Sequence, residues 1–514
     1  MRCPRIASIV PCLLLLLAPL LAALPPLDDG LVKDFRREFK KLEGSANRVE
    51  AVLALEYENV PGVVTALLPV LEDDDSDVAR AAQRVLAALT APEALAALTA
   101  ALESETKTEV RLALLRVFEV TGRDEAGPTA LDALGDRAWQ VRRQAALTLT
   151  ACDPEAARTA LLPLLDDKET AVRCAAYGRL GLLRERTVLE PAWRDLEHSV
   201  WQVRAAAIGA LALVRSKDSI GRLIDRLELE EGRLRQDIGT ALESITGRAL
   251  GERVDAWRRF WDTYRDRFEI PTDAELEALR AKQAERAALY QPAPDGATYH
   301  GISTPSKSIL FVIDVSGSME QEVVEKERYK DGDYPSMMRL DIVKTELART
   351  IETLDSNVQF NIAAFATKVE PWKRRLVSAN SLTKAAASTW LSRLKPIGGA
   401  SKEDLASVGL GGSANLEAGK TNTYAALLWA LGLDPEEKKS NDDYEVEIDT
   451  VFFLSDGQPS HGRYIETDEV LRELRQLNEL RGVVFHTFGI GDFEKDFLER
   501  MALENGGTFV DLGK

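Results

Sequence analysis

The chain has 514 residues, enough for two or more domains with sizeable cores. It carries 65 Lys and Arg against 83 Asp and Glu, a formal net charge of −18. That balance excludes a general affinity for nucleic acid, because no basic excess is present to replace phosphate counterions.

Residues 1–23 read as a secretory signal. Arg2 and Arg5 precede an apolar stretch, and Ala22 and Ala23 are small enough for cleavage. An uncleaved N-terminal anchor is the alternative, but Pro11 and Pro19 interrupt the stretch and about 20 clean apolar residues are needed to span a bilayer. The rest of the sequence holds no comparable segment. The mature chain is therefore expected to be secreted or to lie in the periplasm or cell envelope, without membrane insertion.

Over 30–264 the sequence repeats. Val78, Val110, Val141, Val172, Val203 and Leu234 recur at one step of 32 and four of 31 residues. An arginine follows the anchor at Arg111, Arg142, Arg173, Arg204 and Arg235. A leucine precedes it at Leu71, Leu134, Leu165, Leu196 and Leu227. Each anchor opens an amphipathic helix: Val78, Ala82, Val85 and Leu89 share a face, as do Val203, Ala207, Ala210 and Val214. A shorter helix precedes each, so the period predicts an α-solenoid of stacked helix pairs. The units resemble short HEAT-like repeats.

The arginine column is expected to pair internally with loop acids such as Asp166, Asp167 and Glu197; an acidic partner along one face is the alternative. Trp139 and Trp201 are either contact residues or helix-start packing. Cys152 and Cys174 are offset in repeat register by about 13 Å along parallel helices at ~1.5 Å per residue. A disulfide spans only ~7 Å, so both are expected to be thiols. Trp257, Phe260 and Trp261 are expected to cap the repeats. Thr272-Asp273-Ala274-Glu275 has the form of a capping box. It starts a charged helix within a helical and extended linker over 265–304.

From 305 to 514 the period changes. Ser308-Ile309-Leu310-Phe311-Val312-Ile313 is a continuous apolar run, as in a buried parallel strand. Asp314-Val315-Ser316-Gly317-Ser318 follows it. A carboxylate and two hydroxyls at alternate positions are hard oxygen ligands, suited to Mg²⁺ or Ca²⁺ rather than zinc. Downstream lie Gly419-Lys420-Thr421-Asn422-Thr423 and a second apolar run that ends in Ser455-Asp456-Gly457. Strands are also expected at 358–366, 483–488 and 508–511, and helices at 340–354, 424–433, 467–480 and 493–504. This alternation predicts an α/β doubly wound, mostly parallel sheet, with ligands at the carboxyl ends of its strands.

The three motifs, in this order, resemble the metal-ion-dependent adhesion site of von Willebrand factor type A domains, a Rossmann-like fold. The resemblance implies that Ser316, Ser318 and Thr421 offer hydroxyls to a divalent cation. It implies that Asp314 and Asp456 act directly or through water, and that an open position accepts an Asp or Glu of a protein ligand. Mg²⁺ is the expected ion, with Mn²⁺ or Ca²⁺ as alternatives. Members can shift their last helix on engagement, here 493–504. The spacing departs from the family pattern. Some twenty extra residues separate Pro396-Ile397-Gly398-Gly399 from Thr421, which leaves Ser401 as the alternative for the Thr role. A charged insertion, 320–338, follows the first motif. Both insertions are expected to rim the metal.

No His-Glu-x-x-His, Gly-x-Ser-x-Gly or phosphate-binding glycine loop occurs, so no enzymatic activity is expected. His198, His300, His461 and His486 are scattered; His486 is expected to be structural and His461 able to touch a ligand. The reading is an exported, metal-dependent protein-binding protein of adhesion or scaffold type. One alternative is a constitutive envelope scaffold with a structural metal. Another is a lyase-type enzyme, since similar short repeats occur in chromophore lyases.

Overall fold

The computed structural model describes residues 30–289, 298–299, 302–303, 305–324, 326–397, 419–434, 444–456, 458–490 and 494–512. The signal at 1–23, Ser401, His300, Gly457 and the insertion at 400–418 lie outside the described residues. Contacts divide the chain into two compact units, Met1–Leu161 and Leu162–Lys514.

The first unit is built of helix pairs. Helices Ser76–Ala88, Thr108–Thr121 and Trp139–Cys152 each start two residues before a buried anchor, Val78, Val110 or Val141. Asp75 caps the first by accepting from the Asp77 amide. Gly122 ends the second with φ 61°, a left-handed C-cap that glycine adopts without penalty. Pro92–Ser104 and Gly127–Ala133 lie between these helices, each with a proline in its first turn, where no amide donor is missed. Arg111 pairs with Asp136, and Arg142 donates to the Asp136 and Arg137 carbonyls at 3.0 and 3.2 Å.

The second unit opens with the same pattern. Thr170–Leu182, Trp201–Val214 and Arg233–Thr246 carry the buried anchors Val172, Val203 and Leu234. Arg173 and Tyr177 both donate to Asp195, and Arg204 donates to Glu230 at 2.8 Å. The column is therefore an internal ladder, but its acids differ from those expected. They are Asp136, Asp195 and Glu230, each at or just past the end of the next pair's first helix. Asp166 pairs instead with Arg194, and Asp167 accepts from the Glu169 amide. Trp257 is fully buried with Phe260 edge-on at 6.1 Å, so the aromatic cap forms. The capping box forms as well: Glu275 accepts from the Thr272 amide at 2.8 Å, and Thr272 accepts from that of Glu275 at 3.3 Å. Cys152 and Cys174 are free thiols, and burial pushes Cys152 up to about 11.

The sheet of this unit comprises β1 (Ser308–Asp314), β2 (Gln359–Phe365), β3 (Val369–Pro371), β4 (Val377–Ser378), β5 (Thr450–Ser455), β6 (Val484–Gly489) and β7 (Phe509–Asp511). Its order is β3-β2-β1-β5-β6-β7, with β4 also on β2. The four pairings β1–β2, β1–β5, β5–β6 and β6–β7 are parallel, as expected, and only β3 and β4 run antiparallel, on β2. Alternate residues of β1 feed two cores. Ile309, Phe311 and Ile313 pack with helices Arg339–Thr353 and Ser381–Arg393. Leu310 and Val312 pack with Thr423–Ala430, Thr467–Arg481 and Lys495–Glu504. Burial on both faces is why β1 reads as unbroken apolar sequence.

Repeats of the second unit grip this α/β region directly. The Thr170 hydroxyl and Ala171 amide donate to the Tyr444 phenol at 3.1 and 3.2 Å. Trp201 Nε1 donates to the Val446 carbonyl at 3.0 Å, and Arg233 donates to the Gly482 carbonyl while lying over the Trp201 ring. Trp201 is thus a contact residue, facing the protein's own sheet region.

Candidate metal centre

Strand β1 lies between β2, the next strand in the chain, and β5, which follows much later. At such a reversal the loops leaving the strands diverge and open a crevice at their carboxyl ends. Asp314 ends β1 and Asp456 follows β5, so the topology alone brings both carboxylates to that crevice.

Backbone bonds then fix the turn between Asp314 and Ser318. Val315 N donates to Phe365 O at 2.8 Å, Ile397 N to Val315 O at 2.8 Å, and Gly317 N to Gly419 O at 3.1 Å. The last ties the first motif to the segment that carries Thr421. Asn422 N in turn donates to Ala366 O at 2.9 Å, just past β2.

Four predicted ligands form one hydrogen-bonded chain. Asp314 accepts from the Ser316 amide at 2.8 Å and from the Ser455 hydroxyl at 2.7 Å. The Ser316 and Ser318 hydroxyls are 3.1 Å apart, and Ser318 donates to Asp456 at 2.8 Å. The other Asp456 oxygen accepts from Arg339 Nη1 at 2.7 Å. Both carboxylates are buried, Asp314 completely. Burial, and then the nearby Asp456, hold the Asp314 carboxyl well above the usual carboxylate range.

Thr421 is buried two residues past Gly419, the residue that Gly317 binds, and is held through its backbone. Its amide donates to the Ser460 hydroxyl at 2.9 Å, and its carbonyl accepts from the Ser460 and His461 amides at 2.9 and 3.2 Å. It is not the helix cap: Asn422 is, accepting from the Ala425 amide at 3.1 Å. Gly462 (φ 111°) passes so close to Asn422 that a Cβ there would sit 2.2 Å from its side-chain oxygen, so glycine alone fits. His461 reaches the Thr421 segment by its backbone. His486 is remote in role: it stacks on Phe452 at 5.1 Å and accepts from the Thr508 amide.

Sequence reasoning missed Arg339, Ser455 and Ser460. Ser455 stood in the quoted motif, next to Asp456, and that adjacency was its signal. Arg339 gave none, since 117 positions separate it from Asp456.

The donor set suits a hard divalent cation. Two buried carboxylates face one guanidinium, and hydroxyls supply the remaining oxygens. Two residues past Thr421, the Thr423 hydroxyl is buried without a hydrogen-bond partner. Among the described residues no three His, Cys, Asp or Glu side chains cluster as a metal site.

Comparisons with known proteins find two kinds of module in the chain. The family model for HEAT repeats matches residues 41–119 and 127–200, and that for the von Willebrand factor type A domain matches 332–407 and 413–511. Inter-alpha-trypsin inhibitor heavy chain H1 of Mesocricetus auratus is 28% identical over 210 residues, 40% of this chain and 18% of its own. Heavy chain H4 of Homo sapiens is 26% identical over 210 residues, again 40% and 18%. The chain therefore spans less than a fifth of these relatives' length. A solved complex of CpcE and CpcF of phycocyanin lyase from Nostoc sp. PCC7120 covers 45% of this chain and 92% of its own at 18% identity. Its TM-score of 0.25 carries no argument for a lyase. The chain combines HEAT repeats with a von Willebrand factor type A domain that follows them.

Proposed function

We propose that the chain is an exported protein-binding protein whose type A domain holds a divalent cation, Mg²⁺ first, and captures an Asp or Glu of a partner protein. The proposed layout is a signal at 1–23, repeats over 30–264, a linker over 265–304 and the type A domain over 305–514. The observation that carries the reading is the hydrogen-bonded chain Asp314–Ser316–Ser318–Asp456 at the reversal point of the sheet. Asp314, Ser316, Ser318, Thr421 and Asp456 would hold the ion. Once bound, the ion supplies an electrophilic position for a carboxylate. Ser455 and Ser460 hold the ligand loops in register. Similarity to inter-alpha-trypsin inhibitor heavy chains over the type A region supports a binding role rather than an enzymatic one. No helix among the described residues is long and apolar enough to cross a membrane.

The test is a pull-down from envelope and extracellular extracts with the full chain, in Mg²⁺ and in EDTA, beside Asp314→Ala and Asp456→Ala. A partner retained only by the wild type in Mg²⁺ supports the reading. A partner held equally in every condition contradicts it and favours the constitutive scaffold.

A further inference from the structure

Arg339 is the first residue of helix Arg339–Thr353, and its side chain is 5% exposed. It arrives at the centre because the 320–338 insertion is tied back on itself. Val323 N donates to Met337 O and Arg339 N to Gln321 O, both at 2.9 Å. The loop thus leaves the Ser318 turn and returns the chain beside it. The guanidinium meets Asp456 at 2.7 Å, while its Nε is buried without a partner. Both Asp456 oxygens are then engaged, one by Ser318 and one by Arg339.

We infer that Arg339 sets the charge of this centre, loosening its hold on the metal while strengthening its hold on the partner's carboxylate; this rests on the metal-socket reading above. Two carboxylates against one guanidinium leave a single negative charge. A divalent cation converts that to a single positive charge, which one incoming carboxylate cancels. With a neutral residue at 339 the loaded centre would already be balanced, and an acidic partner would gain less. The cation must also compete with the guanidinium for Asp456. Burial magnifies both effects, because charges interact strongly where water is excluded.

The experiment uses Mn²⁺ as the probe, with free Mn²⁺ read by electron paramagnetic resonance. The full chain is compared with Arg339→Gln, Arg339→Lys and Asp314→Asn. Arg339→Gln should bind Mn²⁺ on the order of tenfold more tightly, as expected when a competing charge is removed. Arg339→Lys, which keeps the charge, should stay near the wild type. Acetate, a minimal carboxylate, should displace water from bound Mn²⁺ at several-fold lower concentration in the wild type than in Arg339→Gln, read by water proton relaxation. Circular dichroism checks folding, and Arg339→Met replaces the Gln variant if that one does not fold. Equal or weaker Mn²⁺ binding by the neutral variants, with binding still lost in Asp314→Asn, overturns the role of Arg339 and leaves the metal centre standing. No Asp314-dependent binding in the wild type overturns the centre itself and this inference with it.

Discussion

The repeats and the sheet region both bury charge, and they balance it differently. In the repeats each buried acid has a full complement of donors: Asp195 accepts from Arg173, Arg194 and Tyr177, and Glu230 from Arg204 and Arg226. In the sheet region Asp314 accepts from the neutral Ser316 amide and Ser455 hydroxyl, while the Arg339 guanidinium donates to Asp456. A closed set of partners holds a fold together. An open one leaves an electrostatic cost that a bound cation can relieve.

That contrast is broken or sharpened by substitution. Asp195→Ala strands Arg173 and Arg194 in a half-buried network and should cost about 3–5 kcal/mol in urea unfolding, the usual penalty for breaking a buried pair. Asp314→Asn, measured in EDTA, should cost far less or even stabilise, since it removes one of two neighbouring buried charges. A large loss in both would erase the distinction between the two regions.

Mg²⁺ at a hundredfold excess over its dissociation constant should stabilise the wild type by about 2.7 kcal/mol. The gain should vanish in Asp314→Asn and persist in Asp195→Asn, as followed by thermal melting with and without EDTA.

His486 gives a pH-dependent contrast within the sheet. Burial lowers its imidazole to about 4, against about 6.5 in an unfolded chain. The unfolded chain takes up a proton that the folded one refuses, so stability present at neutral pH is lost as pH falls from about 6.5 to 4. His486→Phe keeps the stacking on Phe452 and should reduce that loss by about 1–2 kcal/mol, allowing for partial exposure. Denaturation midpoints at pH 7 and pH 4.5 measure it.

The smallest effect is expected where the two regions touch. Trp201→Phe removes the donor to Val446 and narrows the ring under Arg233, and should cost about 1 kcal/mol, chiefly the net value of one hydrogen bond. An effect of several kcal/mol would mean that the contact orders the whole 444–448 segment.

Much of this was legible in the sequence because the signals were local. The 31-residue spacing marked the buried anchors, and apolar runs ending in Asp marked β1 and β5. What escaped depended on long-range contact. Strands β3 and β4 are three and two residues long and partly exposed, too short to show alternation. Helix Ser381–Arg393 buries only Ala387 and Leu391, so its period was faint. The arginine column was legible as a ladder, yet its acids were not, because the geometry of stacked pairs selects them. Arg339 could be placed at Asp456 only once the fold of the insertion was known.

The central claim is tested most directly by calorimetric titration of Mg²⁺ into the full chain and into Asp314→Asn. The account predicts one ion per wild-type chain and none for the variant. Equal binding by both, or no binding by the wild type, would contradict it.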